Sequence, residues 1–337
     1  MRYQLFGSTG LRISEIILGT MGFRDPDHAR PVLEAYAEAG GNVLDTASAY
    51  GTSEEVLGEI IERRDRFVLG SKYTLTRDPA DPNAAGNHRK NLTLSLERSL
   101  RRLRTDYLDI YWVHVWDRHT PLEETMRALD DAVRSGKALY LGVSDAPSWV
   151  VARANTLAEW RGWTPFSGLQ VPYSLLSRDI ERELLPMAEN LGLSVTAWAP
   201  LASGKLTANE SSRRVDPAEL TDTERAVIGA VGKVAADLGA TSAQVALAWL
   251  RRRSRAVLPI IGPRTVAQLQ DDLGALDLDL PAEALTDLAS AAPFDRGFPT
   301  DFITECDESE FVYGKAASTV LPRCTKTRCQ AECTLGR

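Results

Sequence analysis

The chain is predicted to fold as a (β/α)8 barrel of the α/β class, and three observations carry that prediction. Eight apolar, β-rich runs recur along the 337 residues, at 15–18, 42–44, 67–70, 107–113, 138–143, 168–171, 194–198 and 256–261. They are continuous rather than alternating, as expected of parallel strands buried on both faces. Seven of them close at 45, 72, 114, 144, 171, 198 and 262, most of them 26 to 30 residues apart. That spacing is one strand plus one helix. The third observation is chemical: Asp45, Tyr50, Lys72 and His114 each follow one of these runs. In a barrel, the strand ends converge on one rim, so residues far apart in sequence can meet there.

Each element has a local reason. Helical patterns fill 30–39, 54–64, 88–104, 121–135, 149–160 and 180–191. Gly40, Gly41 and Gly136 read as helix stops, and Pro121 suits a first helical turn. The long interval before the last strand holds an additional helix at 223–238, followed by one at 241–253. Residues 2–14 read as strand, turn and strand, a hairpin placed to cap the lower end of the barrel. A doubly wound open sheet is the alternative architecture, but no GxGxxG follows the first strand to support one. The barrel unit is expected to span residues 1–314, with 315–337 as a separate tail.

Bulk properties bound the function. A formal net charge of −7 argues against nucleic acid or an anionic membrane as the principal partner. The clusters Arg101, Arg102, Arg104 and Arg251, Arg252, Arg253 fall late in helices, where cations suit the helix dipole. No run approaches the ~20 apolar residues of a membrane span, and the N-terminus lacks the apolar core of a signal peptide, so a cytoplasmic location is expected. All four cysteines, Cys306, Cys324, Cys329 and Cys333, lie beyond residue 300. Their spacing matches no zinc template, so no metal site is expected and the tail reads as poorly ordered; a disulfide or metal clip is the alternative.

The four strand-end residues form a proton-donating set. A free phenol ionises near pH 10, and a nearby ammonium favours the phenolate. Lys72 within reach of Tyr50 is therefore expected to lower its pKa. Asp45 can hold Lys72 by a charge-assisted bond, and His114 can direct a carbonyl oxygen. Alone, each residue has a plainer reading as a cap, a core hydrogen-bonder, a surface charge or a packing ring. A strand-end lysine also suits Schiff-base chemistry.

The sequence resembles the aldo-keto reductase superfamily, in particular the branch of aryl-alcohol dehydrogenase-like enzymes and potassium-channel β subunits. The resemblance lies in GSTGLRISEIILGTM (7–21), NVLDTASAYGTSEEVLGE (42–59), GNHRKNLTLSLERSLRRLRTDYLDIYWVH (86–114), GKALYLGVSDAPSWVVARAN (136–155), LQVPYSLLSRDIERELLPMA (169–188), WAPLASGKLT (198–207) and PIIGPRTVAQLQDDLGAL (259–276). It implies a barrel that reduces an aldehyde or ketone with a nicotinamide cofactor, with Tyr50 donating the proton, Lys72 and Asp45 tuning it and His114 orienting the carbonyl. It also implies that Gly19, Thr20 and Met21 border the nicotinamide and ribose, that Ser144 and Gln170 hydrogen-bond the carboxamide, that Trp198 stacks on the ring, and that Asp45 and Asp145 belong to the same cofactor site. Ala199, Pro200, Leu201, Ser203 and Gly204 match a loop over the pyrophosphate. Gly262, Arg264, Gln268, Asp271 and Asp272 match the adenosine and 2′-phosphate pocket.

Two positions depart from the common pattern, Asp145 and Asp272, where Asn is frequent. Paired carboxylates at 271 and 272 would repel a 2′-phosphate unless Arg264 intervenes. NADPH is expected ahead of NADH on the strength of Arg264. His114 agrees with catalytic members, whereas channel subunits often carry Asn there, so a nucleotide-sensing subunit with little turnover is the alternative function. The expected partner is a small carbonyl substrate, for which Phe23, Arg24, Tyr73, Trp112, Trp116, Asp117 and the aromatic-rich segment 294–313 are candidate rim residues. Oligomeric state is not legible.

Overall fold

In a computed structural model the structure describes residues 1–207 and 220–319. Eight parallel strands close a barrel: β3 (Ile17–Gly19), β4 (Val43–Asp45), β5 (Val68–Tyr73), β6 (Leu108–Val113), β7 (Ala138–Ser144), β8 (Phe166–Pro172), β9 (Ser194–Trp198) and β10 (Val257–Ile261), which pairs back onto β3. Before them, β1 (Tyr3–Leu5) and β2 (Arg12–Ser14) pair antiparallel as the expected hairpin. Phe6 and Ile13 from that hairpin are fully buried against Ile17, Val43, Val68, Ile110, Leu258 and Ile260. Two side chains of that size contribute roughly 1.5–3 kcal/mol each, so the hairpin is a plug rather than an ornament.

Helices α1 (Pro26–Glu38), α2 (Ser53–Ile60), α3 (Arg89–Leu103), α4 (Leu122–Arg134), α5 (Ser148–Arg161) and α6 (Leu184–Leu191) alternate with the strands. The additional helix is α7 (Asp222–Leu238), and α8 (Ser242–Arg253) follows it. Both start at capping boxes, Thr221 with Glu224 and Thr241 with Gln244, in which each side chain satisfies a backbone N–H of the other residue. After β10 come α9 (Val266–Gly274), α10 (Ala282–Ala291), α11 (Thr300–Glu308) and the short α12 (Glu310–Tyr313).

Two helices are shorter than their sequence patterns. The pattern at 54–64 stops at Ile60 because Ile61 turns extended (φ −77°, ψ 105°). The pattern at 180–191 splits into a 3-10 turn, Asp179–Glu181, and α6. The split coincides with Glu181, whose buried carboxylate accepts from Tyr173, Arg178 and Arg253 instead of facing solvent. The tail expected from 315 begins within a 3-10 turn, Gly314–Thr319, and its remainder lies outside the described residues, as do Cys324, Cys329 and Cys333. Cys306 has no disulfide partner among the described residues, which also hold no metal-binding cluster of His, Cys, Asp and Glu.

One packing feature sets the depth of the barrel mouth. Trp112, expected at the rim, is 2% exposed and lies inside the barrel, edge-on to Phe6 with ring centroids 6.1 Å apart. Glycines on the neighbouring strands make the space. A Cβ at Gly142 would lie 2.2 Å from Trp112 Cε3, and one at Gly168 would lie 2.8 Å from its Cη2. The indole and the hairpin plug together fill the lower half.

Candidate active site

Strand alternation decides which side chains enter the mouth. Lys72 points inward, whereas its neighbour Tyr73 points out into the helix layer, stacked on Tyr111 at 5.2 Å and fully buried. Tyr73 therefore does not line the rim, and neither does Phe23, which is core. Parallel register brings the rest together, pairing Gly19 with Asp45, Lys72 with Trp112 and Ser144 with Gln170.

Lys72 is the hub. Its Nζ donates to Asp45 Oδ2 at 2.6 Å, to the Thr46 carbonyl at 2.9 Å and to the Tyr50 hydroxyl at 3.4 Å. The residue is completely buried and Asp45 nearly so. A charge in that position is tolerable only because it is paired and hydrogen-bonded. Tyr50 is half-buried, its ring 4.9 Å from the ammonium. His114 completes the cluster, edge to face with Tyr50.

The electrostatics differ in one respect from the sequence expectation. Burial pushes the Tyr50 phenol upward, and that outweighs the lowering by the Lys72 ammonium; Asp45 adds a further upward push. Tyr50 is thus a fully protonated donor at neutral pH rather than a softened one. Burial and the Lys72 charge press the His114 imidazole down to about 3. It is neutral, and its buried Nδ1 has no hydrogen-bond partner among the described residues.

The loop carrying Tyr50 is held by hydroxyls, of which sequence reasoning named Thr20 only for the cofactor and passed over Ser53 and Thr46. Ser53 Oγ lies 3.0 Å from Thr20 Oγ1 and 2.9 Å from Thr46 Oγ1, and it donates to the Thr20 carbonyl. Arg24, expected at the rim, donates to the Tyr50 carbonyl at 2.7 Å. Glu54 is buried, accepting from Ser71 on β5 and pairing with Arg102. The clue was the run of small hydroxyl residues after Asp45, a composition that turns use to satisfy backbone groups.

The candidate cofactor residues fall at or beyond the ends of β7, β8, β9, β10, β3 and β4, which are successive neighbours around the barrel. Thr20 is buried, donating to the Asp45 carbonyl, while Met21 is exposed beside it. Gln170 Nε2 donates to Asp45 Oδ1 at 3.0 Å. Trp198, 39% exposed, donates from Nε1 to Asp145 Oδ1 at 3.2 Å. Ser144 is buried next to Asp145. Beyond Trp198 the backbone turns left-handed at Ala199, Ala202, Ser203 and Gly204, with Pro200 and Leu201 between them. Such turns can present amide N–H groups to phosphate oxygens, though the Ala202 and Gly204 amides here donate to the Ala199 and Leu201 carbonyls.

Farther along, Gly262 has open space where a Cβ would sit, and Arg264 is exposed with no carboxylate partner among the described residues. Gln268 accepts from the Arg264 amide at 2.8 Å. Asp271 turns toward α8, accepting from Thr241 and Gln244. Asp272 is buried, and burial with the Asp271 charge raises its carboxyl to about 7. The lining fits a dinucleotide: an exposed indole, a left-handed turn and, among the described residues, a guanidinium without a carboxylate partner.

Beside Asp145 opens a groove of about 420 Å³, lined by Trp116, Arg118, Pro147, Pro172, Ile180 and Leu184 among others. Asp117 is held in its own turn, accepting from Asn87, His119 and Thr120. In the segment 294–313, Phe294 lies under Arg178 and Arg182, while Phe298, Phe302 and Phe311 are exposed.

A barrel with a Lys–Asp–Tyr–His cluster at the strand ends defines a class of oxidoreductase. The aldo/keto reductase family model matches residues 15–293. Norsolorinic acid reductase of Emericella nidulans is 37% identical over 90% of this chain and 84% of its own length. An NADP(+) aryl-alcohol dehydrogenase of Phanerodontia chrysosporium is 38% identical over 88% and 87%. A probable aryl-alcohol dehydrogenase of Saccharomyces cerevisiae is 37% identical over 84% and 93%. The chain belongs to the aldo/keto reductase family and is an enzyme.

Proposed function

We propose that the protein reduces an aromatic aldehyde or ketone to its alcohol with NADPH, Tyr50 giving the proton to the forming alkoxide. One observation carries this reading: Lys72 Nζ stands between Asp45 Oδ2 at 2.6 Å and the Tyr50 hydroxyl at 3.4 Å. When bound, the nicotinamide supplies the hydride. The protein supplies a phenol that stays protonated until the carbonyl oxygen becomes basic, next to an ammonium that stabilises the phenolate left behind. His114 is neutral. A buried N–H left without an acceptor costs more than an unmet lone pair, so with Nδ1 unpartnered among the described residues the hydrogen belongs on Nε2, from which it can donate to the same oxygen.

NADPH is favoured over NADH by Arg264, whose guanidinium is free to take a phosphate. Asp271 is occupied with Thr241 and Gln244, and Asp272 carries only part of a charge near neutrality, so the two carboxylates oppose a 2′-phosphate less than their number implies. The aromatic preference rests on the groove beside Asp145, walled by Trp116 and two prolines, and on the aryl-alcohol substrates named for similar proteins. Lys72 is unsuited to Schiff-base chemistry because it is sealed from solvent and its ammonium is held by three acceptors.

A panel of aryl and alkyl aldehydes offered with NADPH or NADH tests the proposal, followed by loss of the reduced-nicotinamide absorbance. Aryl aldehydes with NADPH are expected to turn over fastest. Tight cofactor binding with no turnover across the panel would support a nucleotide-sensing role instead.

A further inference from the structure

Gln170 is committed in a way that contact with a cofactor alone does not require. Its Nε2 donates to Asp45 Oδ1 across 125 positions of sequence, with both residues buried. Only the nitrogen end of an amide can face a carboxylate, so the orientation is set by charge and Oε1 points away from Asp45. The two oxygens of Asp45 thus have one donor each from opposite sides, Gln170 on Oδ1 and Lys72 on Oδ2. Below them lies a 10 Å³ cavity bounded by Asp45, Gln170 and Thr196 above and by Phe6, Ile13 and Trp112 below. It has room for about one water at most, so the Asp45 carboxylate is fixed by its side-chain donors rather than by bulk solvent.

We propose that Gln170 is a positioning residue for proton delivery, fixing the Asp45 carboxylate so that Lys72 is held against the Tyr50 hydroxyl. This rests on the assignment of Tyr50 as proton donor and adds a fifth residue that acts through Asp45. Its Oε1 is the end left for the carboxamide that the family resemblance assigns to it, so one side chain spans cofactor site and proton donor. The ionisable groups facing this pair are Lys72 from β5, Tyr50 from the loop after β4, His114 from the end of β6 and Asp145 from the end of β7.

Gln170→Leu and Gln170→Glu test it together. Gln170→Leu removes the donor and is expected to lower kcat about ten- to a hundredfold at all pH values, as small misplacements of reacting groups do. In Gln170→Glu the new carboxyl, when protonated, still donates to Asp45. Two carboxyls this close raise its pKa above the unfolded value. The stability it adds is therefore present at low pH and lost as pH rises through the folded value. Near about pH 5 this variant should approach native kcat and native melting temperature, and near about pH 8 both should fall with one shared midpoint.

The melting curves are read on the cofactor-free protein, so they do not depend on turnover. Should Gln170→Leu fail to fold, Gln170→Glu compared with itself at the two pH values decides the matter. The inference is overturned if saturated kcat is unchanged and only NADPH affinity drops. A melting deficit in Gln170→Glu that is the same at both pH values overturns it as well. If Tyr50→Phe kept native turnover, the proton-donor assignment would fail too; if Tyr50→Phe is inactive while Gln170→Leu is not, this inference alone falls.

Discussion

Tyr50 and His114 meet edge to face, with ring centroids 5.7 Å apart and planes at 82°. The imidazole is neutral there, so it carries no imidazolium proton that could stand in for the phenol's. Tyr50→Phe is therefore expected to lower kcat by about 10²–10⁴-fold while leaving cofactor affinity nearly unchanged. Near-native turnover in steady-state assays would remove Tyr50 from the mechanism.

Lys72 and Asp45 are mutually dependent for stability. Lys72→Met leaves the Asp45 carboxylate buried without its cation and should destabilise the fold by about 3–5 kcal/mol. Adding Asp45→Asn removes the stranded charge, so the double variant should recover much of that loss while remaining inactive. Denaturant unfolding of the three proteins measures it. A double variant no more stable than Lys72→Met would show that the pair is not coupled.

Arg264 is the exposed guanidinium just beyond the end of β10. Arg264→Ala should weaken NADPH about tenfold or more and leave NADH nearly unchanged, because only the former carries the extra phosphate. Fluorescence titration with both cofactors checks this, and equal losses would take Arg264 out of the phosphate site.

Burial and the neighbouring Asp271 charge raise the Asp272 carboxyl to about 7 from an ordinary value of 3.8. A folded pKa above the unfolded one favours the folded state at low pH, and that advantage disappears as pH rises through the folded value. Asp272→Asn should therefore match the native protein in melting temperature near about pH 4 and exceed it near about pH 8. A constant difference across that range would mean that the carboxyl does not titrate there.

The barrel was legible because its signals are local and repeated. Buried parallel strands leave continuous apolar runs, and Asp45, Lys72 and His114 mark where those runs stop. Tyr50 was legible only through its company, since nothing about an isolated tyrosine reveals the ammonium 3.4 Å away. Trp112 and Tyr73 were misplaced because a continuous apolar run hides which residues face inward. The facing is visible only when Gly142 and Gly168 are seen to clear a volume for the indole. The direction of the Tyr50 shift was equally hidden, because burial is a property of the assembled site and not of spacing. Ser53 and Thr46 carry no signal beyond being small and polar; their contacts with each other and with Thr20 exist only once β3, β4 and α2 converge.

The indole of Trp112, seated on Phe6, turns the cylinder into a cup with a single opening. Whatever reaches Lys72 and Tyr50 therefore enters and leaves by the same mouth.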